Sequence, residues 1–304
     1  MIFDSFKILL ISYIVFLNLG VFADHWSYNN EKHWPGICQT GEAQSPIDLE
    51  ESIAIPREFH FLSMHGYGQI TSAILKNNGH SAQLTLQNIS PPKMHGGGLP
   101  GTYQLDHLHF HWQSEHTVNG NRFPLELHLV HFEQKYRNLT EAVGHLHGVA
   151  VLGVLFNYAV DDDEDFQPLI NILDKIKNDV GKTEQLDNIN VKQLMPRDRG
   201  GFFRYYGSLT TPGCNEGIIW TVFTDTLPIS RNQVESFLTM KTSGNAPLAK
   251  NFRSIQPLNG RPLYLRNSGP INPILGYRPS NSSSAQVVSA ILLIVCYFFK
   301  LIVV

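Results

Sequence analysis

The sequence predicts a single mostly-β domain with a few short peripheral helices. Short runs rich in apolar, β-branched and aromatic residues, such as 81–89 (SAQLTLQNI), 127–132 (LHLVHF), 148–156 (GVAVLGVLF) and 217–223 (GIIWTVF), are separated by Gly, Pro and Asn clusters. Helical periodicity is confined to two segments. Between Asp24 and about Arg266 there is no Ser/Gly linker, low-complexity tract or internal repeat. In a chain of 304 residues with 42% apolar content, one large core is the simplest organisation.

Taken in chain order, residues 1–23 (MIFDSFKILLISYIVFLNLGVFA) come first. They hold an apolar run of signal-peptide length and end in Val21-Phe22-Ala23, so the mature chain is expected to begin at Asp24. Entry to the secretory pathway makes disulfides durable. Cys38 and Cys214 are the only cysteines of the mature body, either bonded to each other or both free. The bond is the expected state; it would close 176 positions of chain, worth on the order of 4–5 kcal/mol in the chain-entropy model. Two sequons, at Asn138 (Asn138-Leu139-Thr140) and at Asn88 (Asn88-Ile89-Ser90, weakened by Pro91), suit a glycosylated exterior.

Residues 105–132, LDHLHFHWQSEHTVNGNRFPLELHLVHF, pack six histidines into 28 positions. On a strand His107, His109 and His111 project to one face, and Glu126, His128 and Val130 share a face as well. Asn119-Gly120 is a hairpin dipeptide, so the two runs are expected to fold back antiparallel and set His128 beside His109 and His111. Three imidazole nitrogens with an open fourth position is the ligand count of a catalytic zinc. Glu126 is placed to accept the second N–H of His128, as outer carboxylates do for metal-bound histidines. A histidine at an apolar position is more often a satisfied core residue than a ligand, and spacing alone leaves both readings open. His116 and His131 are read as structural.

The helical segments follow. Phe166, Leu169, Ile170, Leu173 and Ile176 space as one apolar face, and Ser230 with Gln233 forms a capping box ahead of Val234, Phe237 and Leu238. After the domain, residues 268–285 read as a polar linker and 286–304 as a hydrophobic tail. This is the pattern of a glycosylphosphatidylinositol-anchor signal, with attachment expected in 280–284 or, as a second candidate, at Asn267-Ser268-Gly269. Cys296 would leave with the tail. The alternative is one short membrane span, interrupted by Lys300. Net charge is −3, charged residues make up 16% and no basic patch occurs, which excludes nucleic acid and leaves small neutral or anionic substrates.

Several ordered motifs, HFHW, SEHTVNG, ELHLVH and YYGSLTTPGC, preceded by HWSYNNEKHWPGICQTGEAQSPIDL and NNGHSAQL and followed by NFRSIQPLNGRPLYL, resemble the α-class carbonic anhydrases over nearly all of 24–267. The resemblance implies a large, twisted, mainly antiparallel but mixed central β-sheet. It implies one zinc ion held by His109, His111 and His128, and reversible hydration of carbon dioxide to bicarbonate by zinc-bound hydroxide. Thr210 matches the threonine that accepts the hydroxide's hydrogen bond, Glu115 the carboxylate that takes Thr210's own proton, and Thr211 a neighbouring substrate contact. Val130, Val151, Leu209 and Trp220 match an apolar wall suited to a substrate without a dipole, although each alone would be read as core. His80 matches the proton-shuttle position, and Tyr28, Asn78 and Gln83 the positions that order water between zinc and shuttle.

The chain departs from the family in two places. His107 stands behind the first zinc ligand where many relatives have glutamine; imidazole accepts an N–H only as one tautomer. The connection after Trp112 is also short. Cys38 and Cys214 match the disulfide of the secreted and membrane-bound branch. The expected partners are carbon dioxide and bicarbonate, and the membrane through a lipid anchor, on a monomer or weak dimer at the outer cell surface. A non-catalytic cell-surface binding module of the same fold and a zinc esterase are the alternatives.

Overall fold

Ten strands form the spine of one sheet: β1 (Ile55–Pro56), β2 (Ile70–Asn77), β3 (Ala82–Leu86), β4 (Tyr103–Trp112), β5 (Leu125–Glu133), β6 (Val149–Ala159), β7 (Thr183–Asn190), β8 (Phe202–Ser208), β9 (Glu216–Phe223) and β10 (Tyr264–Arg266). The computed structural model of the chain describes residues 26–242 and 244–268; the leader at 1–23, the tail at 286–304 and the linker beyond Ser268 lie outside the described residues. Across the sheet the order is β7-β2-β3-β4-β5-β6-β9-β8-β10-β1. Only β6/β9 and β10/β1 pair in parallel along this path, so the sheet is mixed and mainly antiparallel. Three short strands, Leu62–His65, Lys93–Gly96 and Leu227–Ser230, attach beside it.

The central strands are covered on both faces, and β5 is buried at every position from Leu125 to Phe132, its polar residues included. One face carries Leu108, Phe110, Leu127, Leu129, Leu152 and Val154 into the larger core. Two helices pack there. α1 (Gln167–Ile176) buries Leu169, Ile170, Leu173 and Ile176, with Phe166 buried just before its first turn and Asp163 Oδ1 accepting the Phe166 N–H. α2 (Arg231–Leu238) starts at the Ser230–Gln233 capping box and buries Val234 and Phe237. Leu238, expected on that apolar face, is 41% exposed, whereas its neighbour Phe237 takes the buried position in the last turn.

The opposite face of the sheet carries the histidines. Next to them a second apolar cluster gathers Val130, Val151, Tyr205, Trp220 and Val222. Asn119-Gly120 does form a tight turn, with φ of 49° and 77°. It joins two-residue strands, Thr117–Val118 and Asn121–Arg122, which form a small separate sheet with Asp48–Leu49. The return from β4 to β5 is therefore made by this appended hairpin, with the Asp48 carboxylate accepting the Gly120 N–H at 2.9 Å. Among the described residues no helix is long and apolar enough to cross a membrane.

Cys38 and Cys214 are bonded to each other, and both are buried against Tyr28 and Trp34. The bond ties the N-terminal segment to the loop after β8, across a sequence separation of 176 residues. Replacing both cysteines with alanine should lower stability by on the order of 4–5 kcal/mol, read as a lower denaturant midpoint with a steeper slope, since the uncrosslinked chain exposes more surface when unfolded. An unchanged midpoint would remove the cross-link from the stability of this fold.

Candidate metal centre

The antiparallel register of β4 and β5 sets His128 directly opposite His109 and Glu126 opposite His111. Because strand side chains alternate, all four project to the same face. The ring centroids of His109, His111 and His128 lie 5.0, 5.1 and 4.5 Å apart (109–111, 109–128 and 111–128). One ligand atom from each falls within 4.8 Å of the others. Gly153 of β6 lies opposite His128; a Cβ there would sit 3.1 Å from Glu126 Oε1 and from Val222 Cγ2, so the close approach of these strands favours glycine.

Hydrogen-bond partners fix two of the three tautomers. His111 Nδ1 donates to the Asn251 carbonyl at 2.6 Å, which leaves Nε2 as a lone pair, buried and without a hydrogen-bond partner. His128 Nε2 donates to Glu126 Oε1 at 2.8 Å, which frees Nδ1. Burial holds all three rings neutral: it pushes His111 down to about 4, and keeps His109 and His128 below the ordinary imidazole value. Three neutral nitrogens aimed at one point form the donor set that zinc takes. A second group of potential ligands, His116, Glu126 and His128, is already accounted for by hydrogen bonds within it.

The Glu126 carboxylate is fully buried. Its Oε1 accepts from His116 Nδ1 at 2.7 Å as well as from His128, and its Oε2 accepts the His116 backbone N–H at 2.8 Å. Burial raises its pKa, but the His116 and His128 rings and their hydrogen bonds outweigh that and hold it well below the carboxylate range. His116 Nε2 meets the Tyr205 hydroxyl at 2.7 Å. His116 is not a ligand, yet it belongs to the site because it anchors the carboxylate that orients His128. His131 lies apart, against the Tyr67 hydroxyl at 2.6 Å.

Glu115 is the second buried carboxylate. It accepts the Arg253 backbone N–H at 2.8 Å, lies 3.6 Å from His111 Nε2 and interacts with the Thr210 hydroxyl. Burial pushes it up to about 7 against the opposing effects of His128, Thr210 and Arg253. Thr210 is buried and Thr211 partly exposed on the loop that the disulfide pins. Beside the rings, Val130, Val151 and Trp220 are buried and Leu209 packs against them; the Trp220 ring lies 4.8 Å from that of His128. On the other side Gln83 pairs with His109 across β3 and β4, Asn78 Nδ2 donates to Gln83 Oε1 at 3.1 Å, and the Tyr28 ring stands 6.4 Å from His111. His80 stacks on Trp26 at 3.7 Å.

His107 does not take the place expected behind His109. Its Nδ1 lies 2.7 Å from Asp106 Oδ2, and its ring stacks on that of His109 with centroids 5.2 Å apart. His109 Nδ1 is left buried without a hydrogen-bond partner. The physical reason is competition: the adjacent carboxylate is a stronger acceptor for an imidazole N–H than a neighbouring ring. Sequence reasoning also gave no role to Asn251, Arg253, Tyr205 or Trp26. The first two stand in the NFRSIQPLNG run, but their contacts are to residues some 140 positions away.

Residues 23–267 match the family model of the eukaryotic-type carbonic anhydrases. Among similar proteins, carbonic anhydrase 3 of Bos taurus is 34% identical over 257 residues, covering 79% of this chain and 97% of that one. Carbonic anhydrase 6 of Bos taurus is 33% identical over 275 residues, covering 83% and 84%. Carbonic anhydrase 3 of Homo sapiens is 33% identical over 256 residues, covering 79% and 97%.

Two outcomes are expected at this centre. In His107→Gln an amide oxygen can accept the orphaned His109 N–H, so zinc should leave the variant about tenfold more slowly in excess chelator; unchanged or faster release would show that His109 gains nothing from an acceptor there. In the metal-free protein, histidines that titrate near 6.5 when unfolded are depressed on folding, His111 to about 4. The unfolded chain then binds more protons at this ring between those values, so the contribution of neutral His111 to stability is complete above about pH 6.5 and is lost as pH drops toward 4. Melting temperatures across that range should decline less in His111→Asn than in the parent; parallel curves would contradict the assignment.

Proposed function

The chain belongs to the eukaryotic-type carbonic anhydrases, and from that premise we propose that it hydrates carbon dioxide reversibly with one zinc ion held by His109, His111 and His128. The observation that carries this reading is the convergence of three neutral imidazoles whose other nitrogens include two fixed by Asn251 and Glu126. Zinc bound there supplies a Lewis acid that generates hydroxide from water near neutral pH.

The chain's own residues prepare the rest. Thr210, with Glu115 as acceptor for its proton, presents a hydroxyl oxygen of fixed direction toward the attacking oxygen; a hydroxyl that donates in one direction has only its lone pairs to offer in the other. The apolar surface of Val130, Val151, Leu209 and Trp220 berths a substrate that offers no dipole to grip. Water ordered along Tyr28, Asn78 and Gln83 leads the released proton to His80, which passes it to buffer. The Cys38–Cys214 bond supports a secretory route for the protein. Attachment to the outer cell surface by a lipid anchor rests on the composition of 268–304.

The exposed Asn138 caps the helix Leu139–Ala142 through Oδ1, leaving its nitrogen available for glycan addition, whereas Asn88 Nδ2 donates to the Ser90 carbonyl at 3.0 Å. Asn138 is therefore the better acceptor.

Stopped-flow hydration and ester cleavage, measured on one zinc-loaded preparation, test the activity. His128→Ala should lose zinc and hydration together, and full hydration without zinc would overturn the mechanism. His80→Ala should turn over more slowly in dilute buffer, with recovery when imidazole is added; an unaltered rate would remove His80 from proton transfer.

A further inference from the structure

The strands Leu62–His65 and Lys93–Gly96 form an antiparallel pair in which Ser63 faces His95, Met64 faces Met94 and His65 faces Lys93. Alternation sends Met64 and Met94 toward the core and leaves Ser63, His65, Lys93 and His95 on the opposite side of the ribbon. Both histidines are exposed. Although diagonal to each other in the register, their rings are nearly parallel, 11° apart, with Nε2 atoms 3.2 Å from each other and Ser63 Oγ 3.0 Å from His65 Nε2.

We propose that this ribbon face is a second metal site, in which His65 Nε2 and His95 Nε2 chelate a borderline divalent cation such as copper(II), with water and the Ser63 hydroxyl completing its coordination. Imidazole–metal bonds of about 2.0–2.1 Å meeting at about 90–109° place two nitrogens about 2.8–3.4 Å apart. The observed 3.2 Å falls inside that range. At present the two nitrogens face each other across a single N–H; a small rotation of each exposed ring, with the donor ring exchanging its Nε2 proton for one on Nδ1 through solvent, turns both lone pairs onto one ion with no net proton released. Nothing in this pair overlaps the triad of His109, His111 and His128, and the ligand count is different: two nitrogens from two strands on an open surface, which suits tetragonal copper(II) better than a closed tetrahedral site. Lys93 is opposite His65 in the register and on the same side of the ribbon, so its positive charge disfavours a cation there.

The test uses the zinc-loaded protein titrated with copper(II), following bound copper, retained zinc and the electron paramagnetic resonance spectrum. The expected result is one copper bound with zinc retained and nitrogen hyperfine structure from two imidazoles. His65→Ala and His95→Ala should each weaken this binding at least tenfold while leaving carbon dioxide hydration unchanged, which also shows that they are folded. Lys93→Ala should tighten it. Copper uptake matched mole for mole by zinc release would assign the copper to the triad and overturn the proposal. Equal binding and an identical spectrum in both histidine variants would do the same.

Discussion

The pairing of β4 with β5 is the constraint on which the rest depends. Opposite residues in an antiparallel ladder share a face, so the match of His128 with His109 and of Glu126 with His111 brings the candidate ligands and the carboxylate that supports His128 to one side together. A slip of one residue would send the histidines of one strand into the larger core and turn its leucines onto the face where the histidines gather. The apolar face therefore holds the polar face in place: Leu108, Phe110, Leu127 and Leu129 fix the register that His109, His111 and His128 require.

Burying polar groups this densely demands that they satisfy one another, and two carboxylates do so in different ways. Glu126 is ionised and saturated, accepting from two rings and one backbone amide. Glu115 has fewer partners and is displaced toward neutrality, to about 7, chiefly by burial. The first is a fixed anchor that keeps His128 in one tautomer, and the second stays responsive to the groups around it. Arg253 links this region to the scaffold: its amide reaches Glu115 while its guanidinium donates to Gln44 Oε1 and to the carbonyls of Ser45 and Cys38.

The disulfide serves the same centre from the periphery. Thr210 and Thr211 lie on a loop, where backbone freedom is greatest. Cys214 ends that loop, and its bond to Cys38 joins it to the segment carrying Tyr28 and Trp34. One covalent link thus joins the loop of Thr210 and Thr211 to the segment that carries Tyr28.

By itself the sequence determined the fold class, the strand alternation that gathers the histidines, the Ser230–Gln233 cap and the disulfide pair, because each is written in local periodicity, turn chemistry or residue type. It also carried a family resemblance, whose motifs point to Glu115, Thr210 and His80 as candidates for the chemistry. Only the tertiary structure decided which partners complete those residues: the Asn251 carbonyl on His111, the His116–Glu126–Tyr205 chain, the Trp26 ring on His80, and the turning of His107 toward Asp106 away from His109. The physical reason is range. Periodicity reports which face a side chain takes, whereas hydrogen bonds between buried groups depend on approaches between segments far apart in the chain, and local pattern carries no record of those.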